Sequence, residues 1–476
     1  MGAPWRKVGF GRQKPSASAR AQVSRRATIA LAAACTLAAC AADSQPEAVG
    51  VLAPHADTEI RNLIGGAPEL VVAGQRLNVE LLRRFYARHG FEPVWTTRQA
   101  QATSLVNAVL RAGGQGLDPE LFHASLLRQR ATLSWPDREL LLSDAFLSYA
   151  SALALGAVPV ERRRDDEILT PRPIDVADAL DVAIGSPDPA AVIEALAPTT
   201  PAYLALRQAL QRYRSGIPAD EKAATDRLRK IEVNLERQRW LPRPLPADRV
   251  WVNVAEEQLV FYRANRPIFS TRVVVGEDVL RNQSPEFSAL IDASLFNPPW
   301  VIPSDIVIDE ILPKLTKDPN YLTRNNMVML PNGEAEQLPG PDAGLGLIMF
   351  DMPNRFEVYL HDTPDRYIFD RANRRISHGC IRVQNPREFA ALLMQQPVDT
   401  INQGIATGST TRIKLPTPVP VFVVYQTAFV DTDGRLQFYP DFYNRDAEIW
   451  RKLQMRPQGR DRVAQADNHP TSPEPF

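Results

Sequence analysis

Apolar positions along the chain fall into two regimes. From about residue 77 to 241 they recur at helical spacing, as in Leu81, Leu82, Phe85 and Tyr86 and again in Leu141, Leu142, Ala145, Phe146 and Tyr149, which predicts packed helices. Asp118-Pro119 reads as an N-cap followed by a first-turn proline. Leu228, Ile231 and Leu235 predict a last long helix over Glu221–Arg239, after which Pro242, Pro244 and Pro246 form a linker. From Arg249 the pattern changes to short β-branched and aromatic runs, 250–254, 259–262 and 271–275, separated by turn-forming residues, which predicts strands. Residues 296–303 hold too many prolines for a central strand. A helix is expected over 306–315, loop over most of 318–345, strands at 347–350 and 356–360, and a terminal hairpin from 415–430 and 434–439. The fold class is therefore α+β, a helical N-terminal domain over 77–246 followed by a mainly β domain over 247–446. Residues 40–76 are polar and proline-dotted and read as a tether. The tail, 447–476, is expected to be disordered, being polar and aromatic-poor beyond Pro457 until its last residue.

Composition narrows the function by exclusion. The chain has 476 residues with 55 basic and 55 acidic side chains, so it lacks the basic excess of a nucleic-acid binder and no nucleic-acid partner is expected. The N-terminus changes the picture more. Arg6, Lys7, Arg12, Lys14, Arg20, Arg25 and Arg26 precede an apolar run over 27–39, too short to span a bilayer as a helix, which reads as an export signal. The run ends in Leu37-Ala38-Ala39-Cys40, similar to the lipobox of bacterial lipoproteins, in which the cysteine is acylated. That predicts a signal peptide over 1–39 and a lipid-anchored periplasmic protein beginning at Cys40. Ala41 and Ala42 carry no inner-membrane retention signal, which favours the outer membrane. An ordinary cleaved signal is the competing reading, and Ser24-Arg25-Arg26 hints at twin-arginine export.

Cys35, Cys40 and Cys380 are the only cysteines in the sequence. If the first leaves with the signal and the second carries lipid, Cys380 is left unpaired in an oxidising compartment, where cysteines ordinarily come in pairs. Its neighbours suggest chemistry. Of six histidines, His361 and His378 lie within twenty residues of it, in Tyr359-Leu360-His361-Asp362-Thr363-Pro364 and Ser377-His378-Gly379-Cys380-Ile381-Arg382-Val383. A free thiol is mostly protonated at neutral pH, and an imidazole within reach raises its nucleophilicity as base or ion partner. Gly379 lets the backbone approach a substrate carbonyl and aim an N–H at an oxyanion. The rival chemistry is a zinc site built from His361, His378 and Cys380, against which stand the crowded His-x-Cys spacing and the lack of a further ligand pattern.

His361 followed by Ser377-His378-Gly379-Cys380 resembles the signature of the L,D-transpeptidase, or YkuD-like, catalytic domain. The flanking Tyr-Leu-His-Asp-Thr-Pro and Ile381-Arg382-Val383, with Asn297-Pro298-Pro299-Trp300, Ile311-Leu312-Pro313-Lys314-Leu315, Pro339-Gly340 and Ala343-Gly344-Leu345-Gly346, are similar to the large, scaffold-bearing branch of that family. The resemblance implies a helical scaffold domain ahead of a catalytic domain with a lid insertion over about 300–346. It implies Cys380 as nucleophile and His361 as general base and acid, oriented by a backbone carbonyl rather than by Asp362. It further implies His378 and Ser377 as supporting residues, an oxyanion hole from the N–H groups of Gly379 and Cys380, and Arg382 beside a substrate carboxylate. A structural ion pair is the alternative for Arg382. Tyr359 and Trp300 either line the cleft or pack in the core. The implied partners are peptidoglycan stem peptides, a tetrapeptide donor and an amine acceptor, with carbapenems as inhibitors; no cofactor is expected. A cysteine carboxypeptidase or amidase on the same stems, or a non-catalytic wall-binding scaffold, remain alternatives. Two departures stand out. Tyr213 leads through Ser215-Gly216-Ile217-Pro218 directly into the next helix, leaving no room for the helical peptidoglycan-binding insertion usual in large members, and Ser284 replaces the usual threonine in Ser284-Pro285-Glu286-Phe287.

Overall fold

The computed structural model describes residues 56–66, 68–216, 221–431 and 434–455. The expected signal peptide, Cys40 and the end of the tail lie outside them. Helices α1 (Ala56–Ile64), α2 (Val79–Arg88), α3 (Gln99–Leu110), α4 (Trp135–Leu155), α5 (Val176–Ile184), α6 (Pro201–Ser215) and α7 (Glu221–Arg239) make up the N-terminal half. Their starts follow from capping chemistry. Asn78, Ser134 and Thr200 each accept a hydrogen bond from the backbone N–H three residues on, and Pro136 and Pro201 occupy first-turn positions where no N–H is missed. Asp118 caps a 3₁₀ turn over Pro119–Phe122, as its Asp-Pro pair suggested. Helix α4 is buried on nearly every side and forms the axis around which the others pack.

The expected tether is corrected over its second half. Residues 56–76 contain α1 and an antiparallel hairpin pairing Leu70–Val72 with Gln75–Leu77. Ile60, Ile64, Leu70 and Val72 are buried in the helical core. Few apolar residues occur there, but those present stand one helical turn apart or alternate along a strand, so a mostly polar segment still docks.

The second half is a sheet closed on itself. Strands β1 (Arg249–Asn253), β2 (Gln258–Arg263), β3 (Arg266–Gly276), β4 (Phe287–Phe296), β5 (Ile348–Asp351), β6 (Leu360–His361), β7 (Arg375–Ser377), β8 (Ile381–Val383) and β9 (Thr411–Val424) run in the order β7-β3-β8-β6-β5-β4-β9-β1-β2, and β2 also pairs with β3. Alternate residues point inward: Val250, Val252, Leu259, Phe261, Ile291, Phe350, Leu360, Ile381, Val421 and Val423 share one core. Helices α8 (Pro386–Met394) and α9 (Val398–Ala406) add Phe389, Leu393 and Ile401 to it. Outward residues of β9, Phe422 and Val424, belong instead to the helical core.

Three further expectations change. Residues 415–424 are not a hairpin arm: β9 lies between β4 and β1, and the irregular step between Lys414 and Val419 accommodates Pro416 and Pro418 outside the regular ladder. The hairpin is shorter, Ala428–Val430 with Leu436–Phe438. Of 356–360, only Leu360 is in a strand. Residues 318–345 are mostly loop, as expected, yet Met327–Met329 and Ala335–Gln337 join Trp300–Ile302 in a separate three-stranded sheet. With the helical run 304–317, this insertion has its own small core of Ile302, Val307, Ile311 and Ala335. The tail too begins later than expected, because α10 (Arg445–Leu453) is helical and buries Ile449 and Leu453.

Buried ions join the halves. Arg237 of α7 meets Asp446 at 2.5 Å, while Arg445 reaches Glu286 at 3.3 Å and Asp166 at 2.7 Å. The backbone closes the same junction, Ile168 N–H donating to the Glu286 carbonyl and Glu286 N–H to that of Asp166. Removing one partner from such a network leaves the others charged and dry, at a cost of about 3–5 kcal/mol. Arg445→Met, which keeps the side-chain bulk, should therefore lower the thermal midpoint by several degrees; an unchanged melting curve would show that the network contributes nothing.

Candidate functional site

Strand alternation places the chemistry. Leu360 and Ile381 are register partners on β6 and β8 and point into the barrel core. Their chain neighbours therefore face outward: Tyr359 and His361 on one strand, Cys380 and Arg382 beside the other. His361 pairs with Arg382 in the parallel register, and Ile381 N–H donates to the Tyr359 carbonyl. Cys380 is half-buried and its Sγ lies 3.8 Å from the Glu357 carbonyl.

His361 is almost fully enclosed. Its Nδ1 is 2.6 Å from the carbonyl of Asp362. A carbonyl only accepts, so Nδ1 carries the proton and Nε2 is left as a base. The Asp362 carboxylate is engaged elsewhere, accepting from Leu347 N–H at 3.0 Å and Arg366 at 2.9 Å. Gly346 lets that loop pass, since a Cβ there would stand 2.6 Å from the Asp362 side chain. Burial, reinforced by the charge of Arg382, depresses the imidazole pKa to about 3, against the pull of the Asp362 and Leu345 backbones. Burial likewise raises the Cys380 thiol, and the Tyr359 backbone and Arg382 oppose it. Burial thus favours the neutral form of both the thiol and the imidazole on this face.

The loop before Cys380 is held from several directions. Ser377 Oγ accepts from Gly379 N–H at 3.2 Å and donates to the Cys380 carbonyl at 2.6 Å. Ser284 Oγ donates to the Gly379 carbonyl at 2.8 Å and accepts from Gly276 N–H, and Tyr443 OH donates to the Gly276 carbonyl. Gly379 has φ +112, open to glycine at little cost. One expectation is corrected here: the Gly379 N–H is already satisfied by Ser377 and is not free for an oxyanion. The Cys380 N–H has no partner among the described residues and remains available. Ser284 and Tyr443 were not read as site residues. Ser284 was visible only as a motif variant, and its hydroxyl makes the clamp that a threonine's would.

Arg382 is half-buried, and no carboxylate lies within ion-pair distance of its guanidinium among the described residues. Its Nε is buried without a hydrogen-bond partner. Burial lowers its pKa, with Asp365 first among the groups opposing this. Tyr359 is half-buried at the same face. His378 instead pairs its Nε2 with Glu310 of the insertion at 2.8 Å, and Arg281 meets Asp309 at 2.7 Å. Glu310 lies in a π-helical stretch, Val307–Ile311, a widened turn frequent at functional sites. Trp300 packs on the insertion's own core and against Gly344. Among the described residues no three His, Cys, Asp or Glu side chains group as a metal site, and no helix there is long and apolar enough to cross a membrane.

An outward cysteine on a barrel wall, beside a buried neutral histidine and an unpaired arginine, defines a candidate thiol acyl-transfer site. Comparison with known families agrees with that class. Residues 80–210 match the scaffold domain and residues 247–421 the L,D-transpeptidase catalytic domain, so the chain carries a scaffold domain ahead of an L,D-transpeptidase catalytic domain. A Haemophilus influenzae protein described as "Putative L,D-transpeptidase" is 28% identical over 405 residues, 78% of each chain. Two solved structures, the Ldtfm-avibactam carbamoyl enzyme and an L,D-transpeptidase from Mycobacterium smegmatis, are each 12% identical with TM-scores of 0.21. They cover 38% and 37% of this chain, which spans 49% and 58% of theirs; scores this low carry no structural conclusion.

The electrostatics set a pH signature. A raised thiol pKa means the reactive thiolate appears only as pH climbs toward and past the ordinary thiol range. The rate of Cys380 alkylation by iodoacetamide should therefore rise continuously from pH 6 through pH 9. A plateau already reached at neutral pH would reveal a resting thiolate–imidazolium pair and contradict the geometry.

Proposed function

We propose that the protein is a peptidoglycan L,D-transpeptidase acting through a thioester on Cys380. In the first step His361 Nε2 takes the thiol proton as Sγ attacks the carbonyl of the third-position diaminopimelate, at its L-centre, in a tetrapeptide stem. The Cys380 N–H faces the oxyanion. Collapse breaks the peptide bond, and the departing D-alanine amine takes the proton from His361. In the second step the side-chain amine of a neighbouring diaminopimelate attacks the thioester, loses a proton to His361, and the thiol is restored. Neutral His361 is in the protonation state that a base needs at the outset, and a substrate carboxylate that offsets the Arg382 charge raises its depressed basicity toward the working range. The observation that carries this reading is the Cys380–His361–Arg382 face, with the unpaired guanidinium placed to fork onto a stem carboxylate. The same thiol is the expected target of carbapenem acylation.

The insertion has the place of a lid in this reading. The Glu310–His378 contact and the Arg281–Asp309 pair tie it to the barrel beside the motif, where shielding the thioester from water favours transfer over hydrolysis.

Chromatographic analysis of muropeptides after incubation tests the proposal. Wild type should yield cross-links between third positions. Cys380→Ala should yield none and His361→Ala roughly a hundred-fold less or lower, with both still folded. Arg382→Gln should lose activity, and Glu310→Ala should shift product from cross-link toward hydrolysed tripeptide. Cross-links formed by Cys380→Ala would overturn the mechanism, and a Glu310→Ala product ratio equal to the parent's would remove the lid role. In this reading the enzyme works outside the cytoplasmic membrane, and the Leu37-Ala38-Ala39-Cys40 motif supports an anchor through Cys40. Cys40→Ser should release it from the membrane fraction, and unchanged fractionation with no acyl mass would refute the anchor.

A further inference from the structure

A cleft of about 1430 Å³ opens between the helical half and the outer wall of the barrel. It is not the Cys380 site: its barrel side is formed by the outward residues of β1 and β2, including Trp251, Gln258 and Tyr262. Trp251 pairs in register with Val260 and Arg249 with Tyr262, while the intervening Val250, Val252, Leu259 and Phe261 fill the barrel. The volume exceeds the roughly 300–1,000 Å³ of an ordinary small-molecule pocket, which suits a segment of polymer.

Charge decides what kind of polymer. Arg172, Arg243 and Arg249 line the cleft, and none has a carboxylate partner among the described residues. Arg243 donates to the carbonyls of Leu196 and Ala154. Arg249 donates to the Pro246 carbonyl and Asn265 and covers the Tyr262 ring, leaving its Nε buried without a partner. Arg172 is exposed. Burial lowers the pKa of Arg243 and of Arg249. The acids of the cleft offset these charges only in part. Asp431 accepts from Arg435 N–H and Gln437, and burial raises Glu256 to about 7, so that near neutrality it carries only part of a charge. Three guanidiniums lining one cleft, none of them ion-paired among the described residues and opposed by Asp431 and a partly charged Glu256, leave net positive charge suited to carboxylates, and the half-buried faces of Trp251 and Tyr262 offer apolar surface for the remainder of the ligand.

The cleft and the catalytic face are neighbours on the barrel wall. Strand β3 passes from the cleft, which it lines at Pro267, Ile268 and Ser270, to Val274, the register partner of Arg382. At about 3.3 Å per residue, the few positions separating Ser270 from the Cys380 end of the strand span roughly 20 Å. A wall fragment held in the cleft therefore lies within reach of a stem engaged at Cys380.

We propose that this cleft is a second peptidoglycan site, which holds a carboxylate-bearing stem peptide of the wall while another stem reacts at Cys380. The proposal rests on the transpeptidase reading above. No covalent step occurs there; its role is to hold the enzyme on the polymer.

The test separates holding from turnover. Full-length wild type, Arg172→Glu and Arg172→Glu/Arg249→Gln are compared for co-sedimentation with purified sacculi and for turnover of a soluble tetrapeptide, with melting curves as a control for folding. Losing charged contacts should weaken sacculus binding roughly ten-fold or more, already for the exposed Arg172→Glu, which keeps the parent's melting curve, while tetrapeptide turnover stays unchanged. Free tetrapeptide should compete for the sacculus-binding site, and an uncharged chitooligosaccharide should not. Sacculus binding equal to wild type in both variants would overturn the cleft and leave the catalytic reading standing if the tetrapeptide still turns over. Equal competition by the neutral sugar would overturn the stem assignment. No tetrapeptide turnover by wild type would remove the transpeptidase reading, and the peptidoglycan assignment of the cleft with it.

Discussion

Leu360 and Ile381 face one another across adjacent strands inside a closed barrel, and the rest of the site depends on that packing. Side chains alternate across a strand, so burying these two turns Tyr359, His361, Cys380 and Arg382 to the outside together. A slip of one residue in either strand would send the thiol into the core and an isoleucine or leucine into solvent, losing apolar burial and chemistry at once. Closure through the β2–β3 pairing removes the free edge that would tolerate such a slip. The precision of the site is thus supplied by apolar residues that take no part in the reaction.

Electrostatics then divide the work. His361 and Cys380 are both kept uncharged by burial, while Arg382 keeps its charge without a carboxylate to offset it. A half-buried charge without a counter-ion is costly, and an anion beside it would relieve that cost. A carboxylate beside Arg382 would also weaken the guanidinium's repulsion of a protonated imidazole, easing proton transfer from the thiol. In the proposed mechanism, donor binding and activation of the nucleophile would thus be one electrostatic event. The Ser377, Ser284 and Tyr443 hydrogen bonds hold the loop still while it happens.

Much of this was legible in the sequence, but unevenly. Cys380 with His361 and His378 nearby marked the candidate site, because few residue types supply a nucleophile and base. The period change near Arg249 marked the boundary, and α7 was bounded correctly by its apolar face and the prolines beyond it. Long-range pairing was not legible. Nothing local shows that residues 411–424 enter the sheet between β4 and β1, because a run holding Pro416, Pro418 and Pro420 reads as unfit for a central strand, and the ladder accommodates the first two only by an interruption. The insertion's strands are three residues each, too short for a periodic signal, and α1 was hidden by its polar surroundings. The use of the Gly379 N–H by Ser377 depends on a side-chain rotamer that no spacing encodes.

The most direct test of the central claim is intact-protein mass spectrometry during reaction with a tetrapeptide-bearing muropeptide, quenched in acid to preserve a thioester. The account predicts a transient adduct equal to the muropeptide less its terminal D-alanine, mapping to Cys380 and lost on adding an acceptor amine. Product accumulating with no adduct on Cys380 at any time, or an adduct mapping to another residue, would contradict it.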